Sequence, residues 1–149
     1  MTPALAQLLA ELETLGAQDH HTPDRSRRML NVTRDTGKLL NVLVRATAAR
    51  RILEIGTSNG YSTLWLAGAA RVTGGHVTTI ELSDYKVQLA AANFARAALA
   101  DVITQVQQPA DQALAGFPDE AWDLIFLDSA RSEYPAWWPD IRRLLRPGG

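Results

Sequence analysis

Leu5, Leu8, Leu9, Leu12 and Leu15 recur at the spacing of one helix face, which predicts a helix from Pro3 to about Leu15 with Gly16 as its stop. The polar run "AQDHHTPDRSRR" interrupts the pattern and reads as a loop. "RDTGKLLNVLVRATAA" restores it, with Leu39, Leu40, Val42, Leu43 and Val44 as a wide apolar face. The period then changes. Arg51–Ile55 reads as a short strand, Tyr61 to about Ala70 as a helix, and "GGHVTTIEL" as a turn and a second strand. "SDYKVQLAAANFARAAL" predicts a helix capped by Ser83 or Asp84. "VITQVQQ" reads as a third strand, "DQALAGF" as a short helix and "FPDEAW" as a turn. In "DLIFLD" the run Leu124–Leu127 suits a strand buried on both faces. "YPAWWPDIRRLLR" is helical and "PGG" is a stop signal.

Strands alternating with helices predict an α/β fold, a parallel sheet with helices on both faces. Ligands in such sheets bind beyond the carboxyl ends of the strands. Glu54–Gly60, Glu81–Leu82, Gln108–Asp111 and Asp128–Tyr134 should therefore converge on one crevice. The 149 residues read as a single domain, with N-terminal helices at about 3–48 and an α/β core at about 49–149. A net charge of −1 gives no electrostatic footprint for nucleic acid or an anionic membrane. The absence of cysteine excludes disulfides, thiolate metal sites and a cysteine nucleophile. The amphipathic, acid-bearing N-terminus resembles neither a signal peptide nor a membrane span, so a cytoplasmic location is expected.

"RILEIGTSNGYSTLWLA" is a strand, a glycine turn and a helix start. Gly56 and Gly60 are spaced G-x-x-x-G, which is neither the G-x-G-x-x-G of dinucleotide binders nor a P-loop. Glu54 at the strand end would oppose a phosphate and suits an ammonium or sulfonium. Glu81, ending the second strand, is placed to accept from both hydroxyls of a ribose. An ordinary strand-to-helix turn and a helix-dipole acid are the plain alternatives.

Five ordered segments, "LNVTRDTGKLLNVLV", "LEIGTSNGYSTLWLA", "IEL", "FLDSARSEY" and "RRLLRPGG", together resemble the class I S-adenosylmethionine-dependent O-methyltransferases, in particular the catechol and caffeoyl-CoA O-methyltransferase-like group. The resemblance runs from about Leu30 to Gly149 and implies a Rossmann-like methyltransferase fold. It implies that Val32 packs near the methionine part of S-adenosylmethionine. Glu54, Gly56 and Ser58 would line the turn beneath its amino-acid portion, beside Gly60, and Ser62 would bind its carboxylate. Glu81 would hold the ribose hydroxyls with Leu82 against the adenine, and Ala110 and Asp111 would sit at the adenine edge. Asp128 would lie near the reacting methyl, and in many relatives its counterpart is a ligand for magnesium or calcium.

The chain departs from that pattern after the fourth strand. Relatives carry Asp-x-x-Lys-x-x-Tyr, with the lysine as general base; here Arg131 stands between Asp128 and Tyr134. Arginine stays protonated and is a poor base, so Arg131 would orient an anionic acceptor or hold Asp128. His20 and His21 in the N-terminal loop, and His76 at a turn, are the other bases, with surface roles as the plain reading. A lone Asp128 does not complete a magnesium or calcium site. The resemblance further implies a fold truncated after the fourth strand and its helix. That would leave "DLIFLD" as a sheet edge, so the chain is expected to be the N-terminal part of a longer methyltransferase, or to have that edge covered by a homodimer partner or another chain. Trp137 and Trp138 read as an aromatic wall for a flat acceptor or, more plainly, as helix packing plus an exposed residue. The expected function is methyl transfer to a hydroxyl oxygen of a small molecule, aromatic acceptors included. The alternative is a cofactor-binding module without catalysis.

Overall fold

The computed structural model describes residues 1–21, 23, 24 and 27–149, with His20 by its backbone alone. Helix α1, Pro3–Ala17, starts at Thr2, whose hydroxyl accepts from the Leu5 amide at 3.3 Å, and runs through Gly16 rather than stopping there. Leu5, Leu8, Leu9 and Leu12 are buried, while Leu15 faces solvent. The expected loop then opens with a 3-10 turn at Asp19–His21; its residues Thr22, Arg25 and Ser26, and the His20 side chain, lie outside the described residues. Helix α2, Arg34–Ala46, is capped by Thr33. It is narrower in its apolar contacts than its sequence suggests: Leu40 and Val44 are buried, whereas Leu39, Val42 and Leu43 are exposed.

Strands β1 (Arg51–Ile55), β2 (His76–Ile80), β3 (Ile103–Val106) and β4 (Leu124–Leu127) form one parallel sheet in the order β3-β2-β1-β4. Ile52 lies opposite Val77 on one side and Leu124 on the other. Helices α3 (Tyr61–Thr73) and α4 (Asp84–Arg96) join α1 and α2 on one face, around Ile52, Val77 and Ile103. Helices α5 (Ala110–Gly116) and α6 (Tyr134–Leu144) cover the other face, around Leu53, Ile55 and Ile80. Strand residues alternate between faces, so Glu54 shares the α3 side with Ile52. Each fully buried Leu or Ile in these layers contributes about 2 kcal/mol.

The apolar run of β4 is half-buried rather than buried on both faces, because among the described strands only β1 pairs with it. The two adjacent tryptophans of α6 separate as helix packing dictates: Trp137 is buried against Ile141 and Leu144, and Trp138 is exposed.

Candidate functional site

The turn after β1 is held by backbone geometry that its sequence permits. The Gly56 and Thr57 amides both donate to the Ile80 carbonyl, at 3.0 and 3.2 Å. Gly56 has φ 107°, and a Cβ there would collide with the Asp128 carbonyl, so this glycine lets the ends of β1 and β4 touch. Ser58 is left-handed as well, at φ 50°. Buried Asn59 completes the turn: its Oδ1 accepts from the Tyr61 amide at 3.1 Å, and its carbonyl accepts from Asn93 of α4 at 2.9 Å.

Glu54 is entirely buried beneath this turn. Its carboxyl accepts from Ser62 Oγ at 2.6 Å, from Thr79 Oγ1 at 2.6 Å and from Thr63 Oγ1. Thr79 and Thr57 share a further hydroxyl bond at 2.6 Å. Burial pushes the Glu54 pKa up to about 7; the three hydroxyls oppose that shift and the nearby Asp128 adds to it.

Glu81 is built differently. It sits half-exposed just past β2 and binds backbone amides: Ser58 N at 2.9 Å, and Leu82 N and Ser83 N at 3.0 Å each. It lines a crevice of about 510 Å³ across the carboxyl ends of the strands. Gly56, Leu82, Ala110 and Asp111 line the same crevice, as do Glu133, Trp137 and Asp140 from the α6 side. Among the described residues four carboxylates stand in this wall and no lysine or arginine does, Asp140 being ion-paired with Arg143 from outside it. That donor set disfavours phosphate and suits a hydroxyl-bearing, cationic ligand.

The other residues singled out from sequence surround a second space. Val32, Gly56, Ser58, Ser62 and Asp128 line a cavity of about 10 Å³, which is the scale of a single water. The Met29–Val32 segment roofs it: Ser58 Oγ donates to the Met29 carbonyl at 2.7 Å. Asp19 anchors that roof, accepting from the Met29 and Leu30 amides at 2.7 Å each. Gly56 belongs to both spaces. Glu54 and Gly60 line neither; a Cβ on Gly60, at φ 85°, would collide with Phe94, so that glycine serves the packing of α3 on α4.

Asp128 is exposed at the end of β4, yet desolvation of its carboxyl raises its pKa, and Arg131 opposes the rise. Arg131 is exposed in a 3-10 turn at Arg131–Glu133. Tyr134 closes this corner, its hydroxyl bonding the Ser129 amide at 3.0 Å. Lys38 pairs with Asp35 on α2, and His76 bonds Thr104 at the opposite end of the sheet. Among the described residues no three His, Cys, Asp or Glu side chains cluster as metal ligands. The residues around Asp128 therefore do not fit a magnesium or calcium ion, and no step below uses one. Sequence reasoning missed Asp19, the Thr57–Thr79 pair and the Asn59–Asn93 tie, because these bonds form between residues far apart in the chain.

The sequence profile of the O-methyltransferase family matches residues 4–149. The catechol O-methyltransferase of Mycobacterium tuberculosis is 38% identical over 117 residues, which cover 78% of this chain and 53% of that protein. Among solved structures, the O-methyltransferase from Bacillus cereus in complex with SAH is 34% identical with a TM-score of 0.79, covering 95% of this chain and 62% of that one. The O-methyltransferase TomG from Streptomyces achromogenes, involved in tomaymycin synthesis and solved with SAM, is 33% identical with a TM-score of 0.77, covering 99% of this chain and 62% of that one. This chain thus spans about half the length of the curated relative and about three fifths of the solved ones. The part of the methyltransferase fold that those structures share with it takes in nearly the whole chain, its four-stranded parallel sheet included. Profile, identity and fold agree that the chain belongs to the O-methyltransferase family.

Proposed function

We propose that this chain binds S-adenosylmethionine in the acid-walled crevice and takes part in methyl transfer to a hydroxyl oxygen of a small acceptor, phenols and catechols included. The carrying observation is the pairing of Glu81, fixed by three amides, with a crevice wall that holds, among the described residues, four carboxylates and no basic residue. The cofactor carries ribose hydroxyls, a sulfonium and an α-ammonium, and it supplies an electrophilic methyl group. Glu81 is oriented to accept from the ribose, Asp111 from the adenine edge. Val32, Ser58 and Ser62 would meet the amino-acid portion, a reading that their shared lining of the small cavity supports. In the transfer a new oxygen–carbon bond forms as the carbon–sulfur bond breaks, in line, so the chain's contribution is positioning. The acceptor's proton passes to water, since Arg131 is not a base.

A titration calorimeter tests the first half. S-adenosylhomocysteine should bind and NAD should not; the reverse result would sink the reading. Methyl transfer to a phenol or catechol panel tests the second half. Binding without transfer favours the cofactor-binding module, a reading that the arginine at the lysine position supports. The edge of β4 carries a further expectation. Leu43, Leu124 and Leu145 line a groove beside it, and a second copy or another chain is proposed to cover it. A stable monomer in analytical ultracentrifugation would remove that proposal.

A further inference from the structure

Glu54 is a carboxyl sealed inside the protein, and the groups that act on it are three hydroxyls and another acid. From α3 come Ser62 and Thr63, from β2 comes Thr79 backed by Thr57, and from the end of β4 comes Asp128, on which Arg131 acts in turn. A buried carboxylate without a cation is costly, and the neutral acid is the usual escape. Hydroxyls differ from arginine or amide partners because each can donate or accept. With Glu54 ionised, Ser62, Thr63 and Thr79 all donate to it. With Glu54 protonated, its O–H donates to Thr79 Oγ1, and the Thr79 hydroxyl rotates to donate a hydrogen bond to Thr57 Oγ1, 2.6 Å away. Both states keep the Glu54 carboxyl hydrogen-bonded without moving a heavy atom.

The cage also reaches the site. Ser62 is 5% exposed, bonds Glu54 at 2.6 Å, and lines the small cavity with Gly56 and Asp128. One hydroxyl therefore separates the buried carboxyl from the place where a cationic tail would lie. We propose that Glu54 is a charge-matching residue: it is held as the neutral acid in the free protein and as the carboxylate beneath a bound cationic cofactor, so that cofactor binding expels a proton. This rests on the S-adenosylmethionine reading above. The proton leaves through the hydroxyl cage to water, and the negative charge it leaves behind faces the sulfonium and ammonium. Catalytic contact is not implied; Glu54 acts through Ser62 as a positioning residue.

The window follows from the direction and size of the burial effect. With its pKa raised to about 7 in the free protein, Glu54 holds its proton in about half the molecules at that pH. Cofactor affinity should rise as pH rises toward that value, by at most about tenfold per pH unit, and level off above it.

The test is calorimetric titration with S-adenosylhomocysteine and with S-adenosylmethionine, in paired buffers of different ionisation enthalpy. The wild type should release about half a proton per cofactor near the Glu54 pKa and none about two units above it. S-adenosylmethionine, with its extra positive charge, should release at least as much as the homocysteine product. Glu54→Gln should bind with no release and with an affinity independent of pH. Asp128→Asn should keep the release but move it to lower pH, because Asp128 raises the Glu54 pKa. If Glu54→Gln fails to fold, infrared difference spectra of the wild type decide: a protonated-carboxyl band should vanish on cofactor addition. Binding without proton release, release undiminished in Glu54→Gln, or release abolished by Asp128→Asn would each overturn the proposal. Failure of both ligands to bind at every pH has a different signature; it removes the cofactor reading and this inference with it.

Discussion

The β1–α3 and β4–α6 corners leave adjacent strands at the same end of the sheet, and they are built in opposite ways. The first is an interior structure. Glu54, Thr57, Asn59, Thr63 and Thr79 are almost wholly buried there, and their polar side-chain groups bond one another or the backbone. The second is a surface structure. Asp128 through Glu133 are all exposed, tied down chiefly by the Tyr134 hydroxyl. In the first corner each side chain answers to several others, so its residues are interdependent. In the second a substitution disturbs little, and that is where arginine replaces the lysine of the family pattern. The corner proposed to hold the cofactor is thus fixed by folding, while the corner proposed to meet the acceptor is free to vary.

The sharpest way to break this contrast is where the corners meet. Gly56→Ala puts a Cβ into the Asp128 carbonyl at a φ of 107°. Backbone must move on one side or the other. We expect a loss of about 4 kcal/mol in urea unfolding, together with loss of S-adenosylhomocysteine binding. A stable, binding-competent Gly56→Ala protein would show that the corners are not locked together.

The next effect belongs to the interior corner alone. The Glu54 pKa is raised by burial above its ordinary value of 4.5 to about 7. The native state therefore holds a proton that the unfolded chain has given up across that interval. Stability from this group is fully present below the lower value and is lost as pH rises through the upper one. The free energy of unfolding from urea titrations should fall across the window by an amount on the order of 3 kcal/mol, and Glu54→Gln should flatten the profile. A rise in stability over the same window would reverse the assignment.

The contrast also explains what could be read in advance. The placement of strands and helices was legible because apolar periodicity and glycine spacing report burial directly, as Ile52–Ile55 and Gly56 show. Leu39, Val42 and Leu43 misled, since an apolar stripe says nothing about which of its residues finds a partner. Glu54 was read as a site acid from its position, but its sealed environment was not legible: Thr79 and Ser62 reach it from other elements. Asp19 could not have been found at all, because the Met29 and Leu30 amides it accepts from lie 10 and 11 residues away in the chain. The resemblance to known methyltransferases was legible because it rests on short ordered segments, and four of the five lie at strand ends or helix starts.

A smaller effect is expected at Glu81, between the two corners in exposure. Glu81→Ala removes the acceptor for three amides and the proposed ribose contact. Solvent reaches this side chain, so stability should fall by only about 1 kcal/mol. Affinity for S-adenosylhomocysteine should fall by about tenfold to a hundredfold, as loss of a charged hydrogen bond does. Calorimetry on a variant shown to be folded by circular dichroism separates the two. Unchanged affinity would remove Glu81 from the ligand site.

The smallest effect should be at Arg131, where the surface corner departs from its family. The side chain is exposed, and its charge acts on Asp128 by lowering a pKa that burial raises. Arg131→Ala should leave stability within about 0.5 kcal/mol, as surface substitutions do, and should move the Asp128 pKa further upward, which carbon NMR of the carboxyl would detect. Arg131→Lys keeps the charge and adds a side chain whose pKa responds to its surroundings. If the acceptor half is limited by the missing base, this variant should raise methyl transfer to a phenol while S-adenosylhomocysteine affinity stays constant. If transfer and affinity instead fall together, Arg131 reaches into the cofactor half, and the division between an interior, fixed corner and a variable surface one does not hold.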